Sequence, residues 1–425
     1  MNIFLKNKDY RQFSIASFLS SAGDILFYLA LMTYASKLQN YSLALSLIAI
    51  SEAIPRFFDI FGGYLADRTH HKFKNIFLMC MLRFILYLVV GLLFASHLND
   101  WILVLAVILI NLISDTFGSY SSGLISPLVA DIVGKEDFGI AEGFTSGVAE
   151  VINTVAQFAG AGLLLFMSYS SLAYFNALTF LIAGFFYLRV GYIHQKKGKS
   201  LEHQEINKKN FWETMKTSYK QVRKQHSLLS VVLIIAILNG ILDAMEALIP
   251  IVMAGHRSTM IISTYSFTIA IIGVIISVGA ALGSMFGPQL FKKVSIFTVI
   301  ILALIFGFGV TSGALIANLY VILPFYFLLA VTASLGSIKL TQWLVTTVDH
   351  KILASSVGLL NTILMITAPI MTTFFTSISG FSNIKYALLI LLIIEILVLI
   401  ITVKICIQSK RKLQTTKRVM STRTE

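Results

Sequence analysis

Seven carboxylates, Asp24, Glu52, Asp59, Asp115, Glu150, Asp243 and Glu246, stand inside stretches of sequence that are otherwise almost wholly apolar. An ionised side chain in the middle of a hydrocarbon layer costs about 2.5–3.5 kcal/mol on insertion scales, so each is a candidate for function. The chemistry open to such a group is binding a proton or a cation. Three bases share these stretches, Arg56, Arg83 and Lys339, and they can neutralise only some of the acids. The acidic surplus favours protons or cationic small molecules as ligands.

Helical spacing sorts the candidates. At about 1.5 Å per residue, Asp24 lies roughly 18 Å from one end of its apolar run and Glu52 roughly 16 Å from the far end of the next, so both fall near a midplane. Glu52, Arg56 and Asp59 sit at i, i+4 and i+7, one helix face, and Arg56 is expected to pair with both neighbours. Asp24 has no basic residue on its own helix and is the first candidate for a proton carrier, with Asp115 second. Polar stripes at Asn111, Asp115 and Ser122, at Ser146, Glu150, Asn153 and Gln157, and at Asn239, Asp243 and Glu246 describe faces lining a wet cavity. Interhelical hydrogen bonding accounts equally well for the serines and amides among them. Phe27, Tyr28, Tyr120 and Tyr265 neighbour these stripes and are cavity candidates, while most of the 32 Phe and 16 Tyr serve packing or face lipid. No Ser-His-Asp set, metal triad or paired catalytic carboxylate stands out, so no enzyme, cofactor or metal is expected. His70 and His71 read as loop residues, and the two cysteines, Cys80 and Cys406, offer no disulfide framework.

The elements that must position these residues are membrane helices. The chain of 425 residues is 57% apolar and 12% charged with mean hydropathy +0.83, against about a quarter charged in soluble domains. Crossing roughly 30 Å of hydrocarbon takes about 20 helical residues. Spans are expected near 12–37, 41–66, 75–97, 101–128, 143–167, 171–192, 228–255, 261–286, 295–317, 320–345, 353–377 and 382–405, with tight joints at 37–41 and 317–320. The first is expected to remain in the membrane, since Asp24 interrupts it, and not to act as a cleaved leader.

Basic residues then orient the chain. Of the 33 lysines and arginines, 27 fall in segments on the side of the two termini; Lys37, Arg257 and Lys385 fall on the other side, and Arg56, Arg83 and Lys339 within spans. That asymmetry assigns both termini to the cytoplasm, and the net charge of +13 is a topology signal with no nucleic-acid partner implied. The polar segment 193–227 divides six spans from six. The expected organisation is therefore 1–192, a six-helix bundle; 193–227, a linker; 228–407, a second bundle; and 408–425, a basic tail. Within the linker, Phe211, Met215 and Val222 share a face, which suits an interfacial helix or a plain charged connection. Gly198-Lys199-Ser200 resembles the end of a phosphate-binding loop, but Ile193 stands where that loop needs glycine, so no nucleotide is expected.

The stretch G-G-Y-L-A-D-R-T-H-H-K-F-K, residues 62–74, has a partner in G-P-Q-L-F-K-K-V-S, residues 287–295, where Phe291 stands at the place of Asp67. Two related basic turns suggest a duplicated unit. The first resembles the loop 2–3 signature of the major facilitator superfamily. Asn7-Lys8-Asp9-Tyr10-Arg11, Gly23-Asp24 and S-G-L-I-S-P-L-V-A-D-I-V at 122–133 resemble its macrolide-efflux and siderophore-export branch. His70 departs from the loop pattern, and the antiporter motif of span 5 is reduced to A-Q-F-A-G-A-G at 156–162. The resemblance implies an all-α membrane protein, twelve helices in two pseudo-symmetric bundles, in a bacterial cytoplasmic membrane. It also implies a monomeric carrier that exports amphipathic or cationic small molecules against protons, or moves a lipid, lipid-linked headgroup or peptide on the same fold. Gly63, Asp67, Arg68 and Lys72 would act as a latch between halves, with Asp67 meeting the start of span 11 near Leu353 and the bases engaging carboxylates or lipid phosphates.

Overall fold

Polar residues at the ends of the apolar runs start the helices. Asn7 accepts hydrogen bonds from the backbone of Asp9 and Tyr10 at 3.1 and 3.0 Å, capping the first span, and its Nδ2 donates to the Ile132 carbonyl on a neighbouring helix. Tyr10 Oη donates to the Ala141 carbonyl at 2.7 Å. The Asn7–Arg11 motif is thus a cap and an anchor. Asn99, Thr264 and Ser295 cap three further spans in the same way.

The computed structural model describes residues 2–67, 69–96, 98–134, 136–196, 226–291, 293–347 and 353–421. Among these residues there are twelve long helices: α1 (Lys8–Ala35), α2 (Tyr41–Asp67), α3 (Lys72–Ala95), α4 (Asp100–Val133), α5 (Phe138–Leu163), α6 (Tyr169–Lys196), α7 (His226–Gly255), α8 (Tyr265–Met285), α9 (Ile296–Leu315), α10 (Leu319–Thr347), α11 (Leu353–Phe381) and α12 (Ile384–Ser421). Ten are long and apolar enough over their described residues to cross a membrane. The other two, α2 and α5, carry Glu52 and Arg56, and Glu150, Asn153 and Gln157.

Two boundaries differ from expectation. α4 runs past 128 to Val133 with Pro127 inside it, and α12 continues as helix through the basic stretch after 408 to Ser421. The expected interfacial helix at 211–225 lies outside the described residues, as do Arg68 and the side chains of Asp59, Gly63 and Asp67. The α9–α10 joint is closed by Ala317 at φ 49°, a left-handed turn.

Helices α1–α6 and α7–α12 pack by matched pairs: α3 on α6 and α9 on α12, α2 on α4 and α8 on α10. Between the two sets, α2 packs on α11 and α7, and α5 on α8. These contacts concentrate on the side away from the termini. Ser42 Oγ donates to the Ser379 carbonyl at 3.0 Å, Phe158 meets Phe267 edge-on, and Leu29, Ala161 and Ala270 share a small apolar cluster. On α5, Gly143 and Gly147 face space in which an added Cβ would meet nothing within 4 Å.

Arg257, just past α7, donates to the carbonyl of Ser36 at the C-terminal end of α1, a helix end that favours positive charge. A hydrogen bond from a charged donor contributes about 1.5 kcal/mol or more, so Arg257→Gln should shift the balance between closed and open far sides about tenfold. Spin labels at Asn40 and Ser382 should then report a larger population at long distance. An unchanged distribution would remove Arg257 from the closure.

A candidate proton and substrate cavity

Serines, carboxylates and two arginines enclose a cavity of about 240 Å³ among α1, α2, α3, α4 and α6. Ser17, Ser20, Ser21 and Asp24 come from α1, Glu52, Pro55 and Arg56 from α2, Arg83 from α3, and Asp115, Gly118, Ser119 and Ser122 from α4. Of the expected polar stripes, α4 contributes Asp115 and Ser122, whereas no residue of the α5 or α7 stripe lines this cavity.

Arg83 organises the floor. Its Nη2 donates to Asp24 Oδ2 at 2.8 Å, its Nε donates to Ser114 Oγ at 3.0 Å, and Asp115 Oδ1 lies 3.6 Å from the same Nη2. The guanidinium rests on the Phe180 ring, 4.0 Å from its centroid. Gly118 leaves room for it: an added Cβ would sit 3.4 Å from the guanidinium. Asp24 has no base on its own helix, as expected, and Arg83 is the cation that pairs with it. That partner comes from two helices further on, where no spacing rule within one helix could reveal it. Asn176 of α6 stands beside Asp24 on the side away from Arg83's bond to Oδ2. Gly23 lets α6 approach this closely, since a Cβ there would collide with Asn176 and Thr179.

Asn111 organises the wall. Its Nδ2 donates to Glu52 Oε1 at 2.8 Å and to Asp115 Oδ2 at 2.7 Å, while its Oδ1 accepts from Tyr87 Oη at 2.6 Å. One amide therefore holds two carboxyls together, and these are close enough to hydrogen-bond each other. A bond between carboxyls requires a proton on one of them.

Among the described residues, Arg56 forms its ion pair outside α2 and not with Glu52. Its Nη1 reaches across to Asp243 Oδ2 on α7 at 3.4 Å, with its own side chain 56% exposed and that of Asp243 30% exposed. Helix pairing across the interface overrides the i, i+4 alignment with Glu52. Glu246, one turn on, is exposed toward the same space. Glu150 on α5 accepts from Ser277 on α8 at 3.4 Å, again between the halves. Lys339 leaves this region and donates to the Val294 carbonyl.

The aromatic candidates do not line the cavity. Phe27 is fully buried against Tyr87 and Phe94; Tyr265 is buried, donating to the Pro250 carbonyl; Tyr120 bonds Thr69 near the terminal side. Tyr28, half-buried, is not among the lining residues but stands within charge-interaction range of Glu52, Arg56, Asp115 and Glu246. Lys72, one of the latch bases, lies within charge-interaction range of Asp131 on α4, as does His194. One acid escaped the sequence reading altogether: Glu395, in the middle of α12, is 1% exposed.

No curated protein matches the sequence. In fold, the chain is similar to the nucleoside transporter NupG, with a TM-score of 0.68 at 13% identity over 94% of this chain and 99% of that one. It is similar to a bacterial homologue of the human lysosomal transporter spinster in an inward-facing, unoccupied state, at 0.66 and 12% over 96% and 98% of the two chains. A bacterial homologue of the iron transporter ferroportin, inward-facing, gives 0.67 and 14% over 94% and 98%. At such identities the likeness carries the fold alone. The family model of the Major Facilitator Superfamily matches residues 13–371, and with twelve helices packed as two matched sets the chain belongs to that superfamily of secondary transporters and is not an enzyme.

Proposed function

We propose that this transporter exports cationic or amphipathic small molecules in exchange for protons, in the manner of macrolide and multidrug efflux carriers. The observation that carries this reading is the acidic cavity. Asp24, Glu52 and Asp115 outnumber the two arginines of the cavity, Arg83 and Arg56, and Arg56 is engaged by Asp243 across the interface between the halves, with Glu246 in charge-interaction range. Arg83 neutralises one carboxylate; the Glu52–Asp115 pair keeps a site for one proton or one substrate cation, and the two compete for it. Proton arrival displaces the cation, and loss of the proton restores affinity.

The termini are assigned to the cytoplasm on the distribution of basic residues, and the cavity then opens inward. Asp67, at the end of α2, is assigned to the latch with the start of α11. A lipid cargo is the alternative on this fold; the small volume and the serine and carboxylate lining favour a compact charged group over an acyl chain.

Transport by the purified chain in vesicles with an imposed proton gradient tests the reading, using a phosphonium cation, a neutral macrolide and a fluorescent phospholipid as probes. Gradient-driven accumulation of the cation is expected. Movement of the phospholipid alone would transfer the assignment to the alternative. In intact cells, an impermeant thiol reagent should label Asn99→Cys and miss Ser200→Cys; the reverse pattern would invert the topology.

A further inference from the structure

The matched halves expose a second, separate site. Arg83 is the twelfth residue of α3 and rests on Phe180, the twelfth of α6. At the same register of the matched pair, Gly307 is the twelfth residue of α9 and Glu395 the twelfth of α12. The two face each other: a Cβ on Gly307 would lie 3.6 Å from Glu395 Oε1 and 3.7 Å from Met245 Cε of α7. Where one half holds an arginine over a ring, the other holds a carboxyl against a bare backbone.

Glu395 has almost nothing to stabilise a charge. It is 1% exposed, its Oε1 accepts from Thr311 Oγ1 at 2.8 Å, and its Oε2 has no hydrogen-bond partner. The helices packed on α12 are α7, α9 and α11. By sequence, α9 and α11 carry no ionisable side chain, and inside its span α7 carries only the acids Asp243 and Glu246. On α12 itself the nearest bases, Lys385 and Lys404, are ten and nine residues away, about 15 Å along the helix. An ionised carboxylate buried with one hydroxyl donor, no cation and two like charges on the next helix is untenable.

We propose that Glu395 is a proton-binding site in the second half of the carrier, distinct from the acidic cavity and occupied by one proton at neutral pH. The proton resides on Oε2, while Thr311 donates to Oε1. Met245 stands between Asp243 and Glu246 on α7, so the site sits directly behind the helix that presents those two acids to the interface, and movement of α7 against α9 and α12 alters its surroundings. The site stands independently of the substrate and coupling assigned to the cavity.

Infrared spectroscopy of the purified full chain in lipid, titrated through neutral pH, reads this site without any transport. A carboxylic C=O band should be present at neutral pH, move to higher frequency in Thr311→Val, which removes the donor to Oε1, and disappear in Glu395→Gln. Cavity acids contribute bands that neither substitution moves. The thermal unfolding temperature of the natural chain should fall as pH rises and strips the proton, because the folded state binds more protons than the unfolded one, and this slope should be reduced in Glu395→Gln. If the glutamine variant does not fold, Thr311→Val decides. A spectrum with no neutral-pH carboxylic band sensitive to Thr311 would mean that Glu395 is ionised, and the proposal fails.

Discussion

Replacing Arg83 by glutamine should cost the protein about 3 kcal/mol at neutral pH, the largest stability loss expected of any single substitution around the cavity. Arg83 is 8% exposed, bonds Asp24 at 2.8 Å and Ser114 at 3.0 Å, and reaches Asp115 at 3.6 Å. Removing one member of a buried pair leaves the other charged and uncompensated, at about 3–5 kcal/mol. The lower end applies here, because the Asp24 side chain is 32% exposed to the cavity. Arg56 offers no substitute while it is engaged with Asp243.

The loss has a pH signature. In the variant, a proton on Asp24 does the work of the missing guanidinium, so the folded state takes up a proton that the unfolded chain does not hold at the same pH. Stability therefore rises as pH falls and declines as pH rises. Thermal unfolding in detergent should show the variant converging on the natural protein in acid. The double variant Asp24→Asn, Arg83→Gln should regain most of the loss, since it deletes both charges together. Arg83→Lys should fall between, because an ammonium cannot serve Asp24, Ser114 and the Phe180 ring at once. Additive losses in the double variant would mean that the pair is not what Arg83 stabilises.

The twelve helices were legible because apolar runs bounded by caps and charges are a property of local sequence. The joints at 37–41 and 317–320 were legible for the same reason. The polar stripe on α4 was also readable, since Asn111, Asp115 and Ser122 share a face by period alone. Partnership between helices was not. Asp24 looked uncompensated because its cation, Arg83, is 59 positions away, and Arg56 looked satisfied within α2 although its partner is on α7. Periodicity says which face a residue occupies and nothing about which helix comes to meet it. Phe27 and Tyr265 were misjudged on the same ground: neighbouring a polar stripe is not the same as facing it. Glu395 is a different case. Its signal, a single acid within I-I-E-I-L, was present in the sequence as plainly as that of Asp24.

On the proposed exchange mechanism, the coupling proton is assigned to the Glu52–Asp115 pair and not to Asp24, and the two assignments give different results. Asp24 is committed to Arg83, so Asp24→Asn leaves an unpaired buried guanidinium and should lower stability, with Asp115, 3.6 Å from the guanidinium, taking over part of the pairing. Glu52 and Asp115 both accept from the one Nδ2 of Asn111, and that amide is itself held by Tyr87. Two carboxyls so held are costly to ionise together, so a proton shared between them leaves readily only when another cation arrives to replace it. Glu52→Gln makes one partner permanently neutral. Uphill export driven by a proton gradient should then drop to the level seen with no gradient, while exchange of substrate across the membrane persists, because a carrier that no longer titrates can still alternate. Asp115→Asn should behave alike, and Tyr87→Phe should weaken coupling without abolishing it, since Asn111 loses its orienting donor but keeps both carboxyls. The decisive comparison is uphill export against exchange in Glu52→Gln and Asp24→Asn at matched amounts of folded protein. If Asp24→Asn loses uphill export and Glu52→Gln retains it, the proton rides on Asp24 and the pair held by Asn111 is structural.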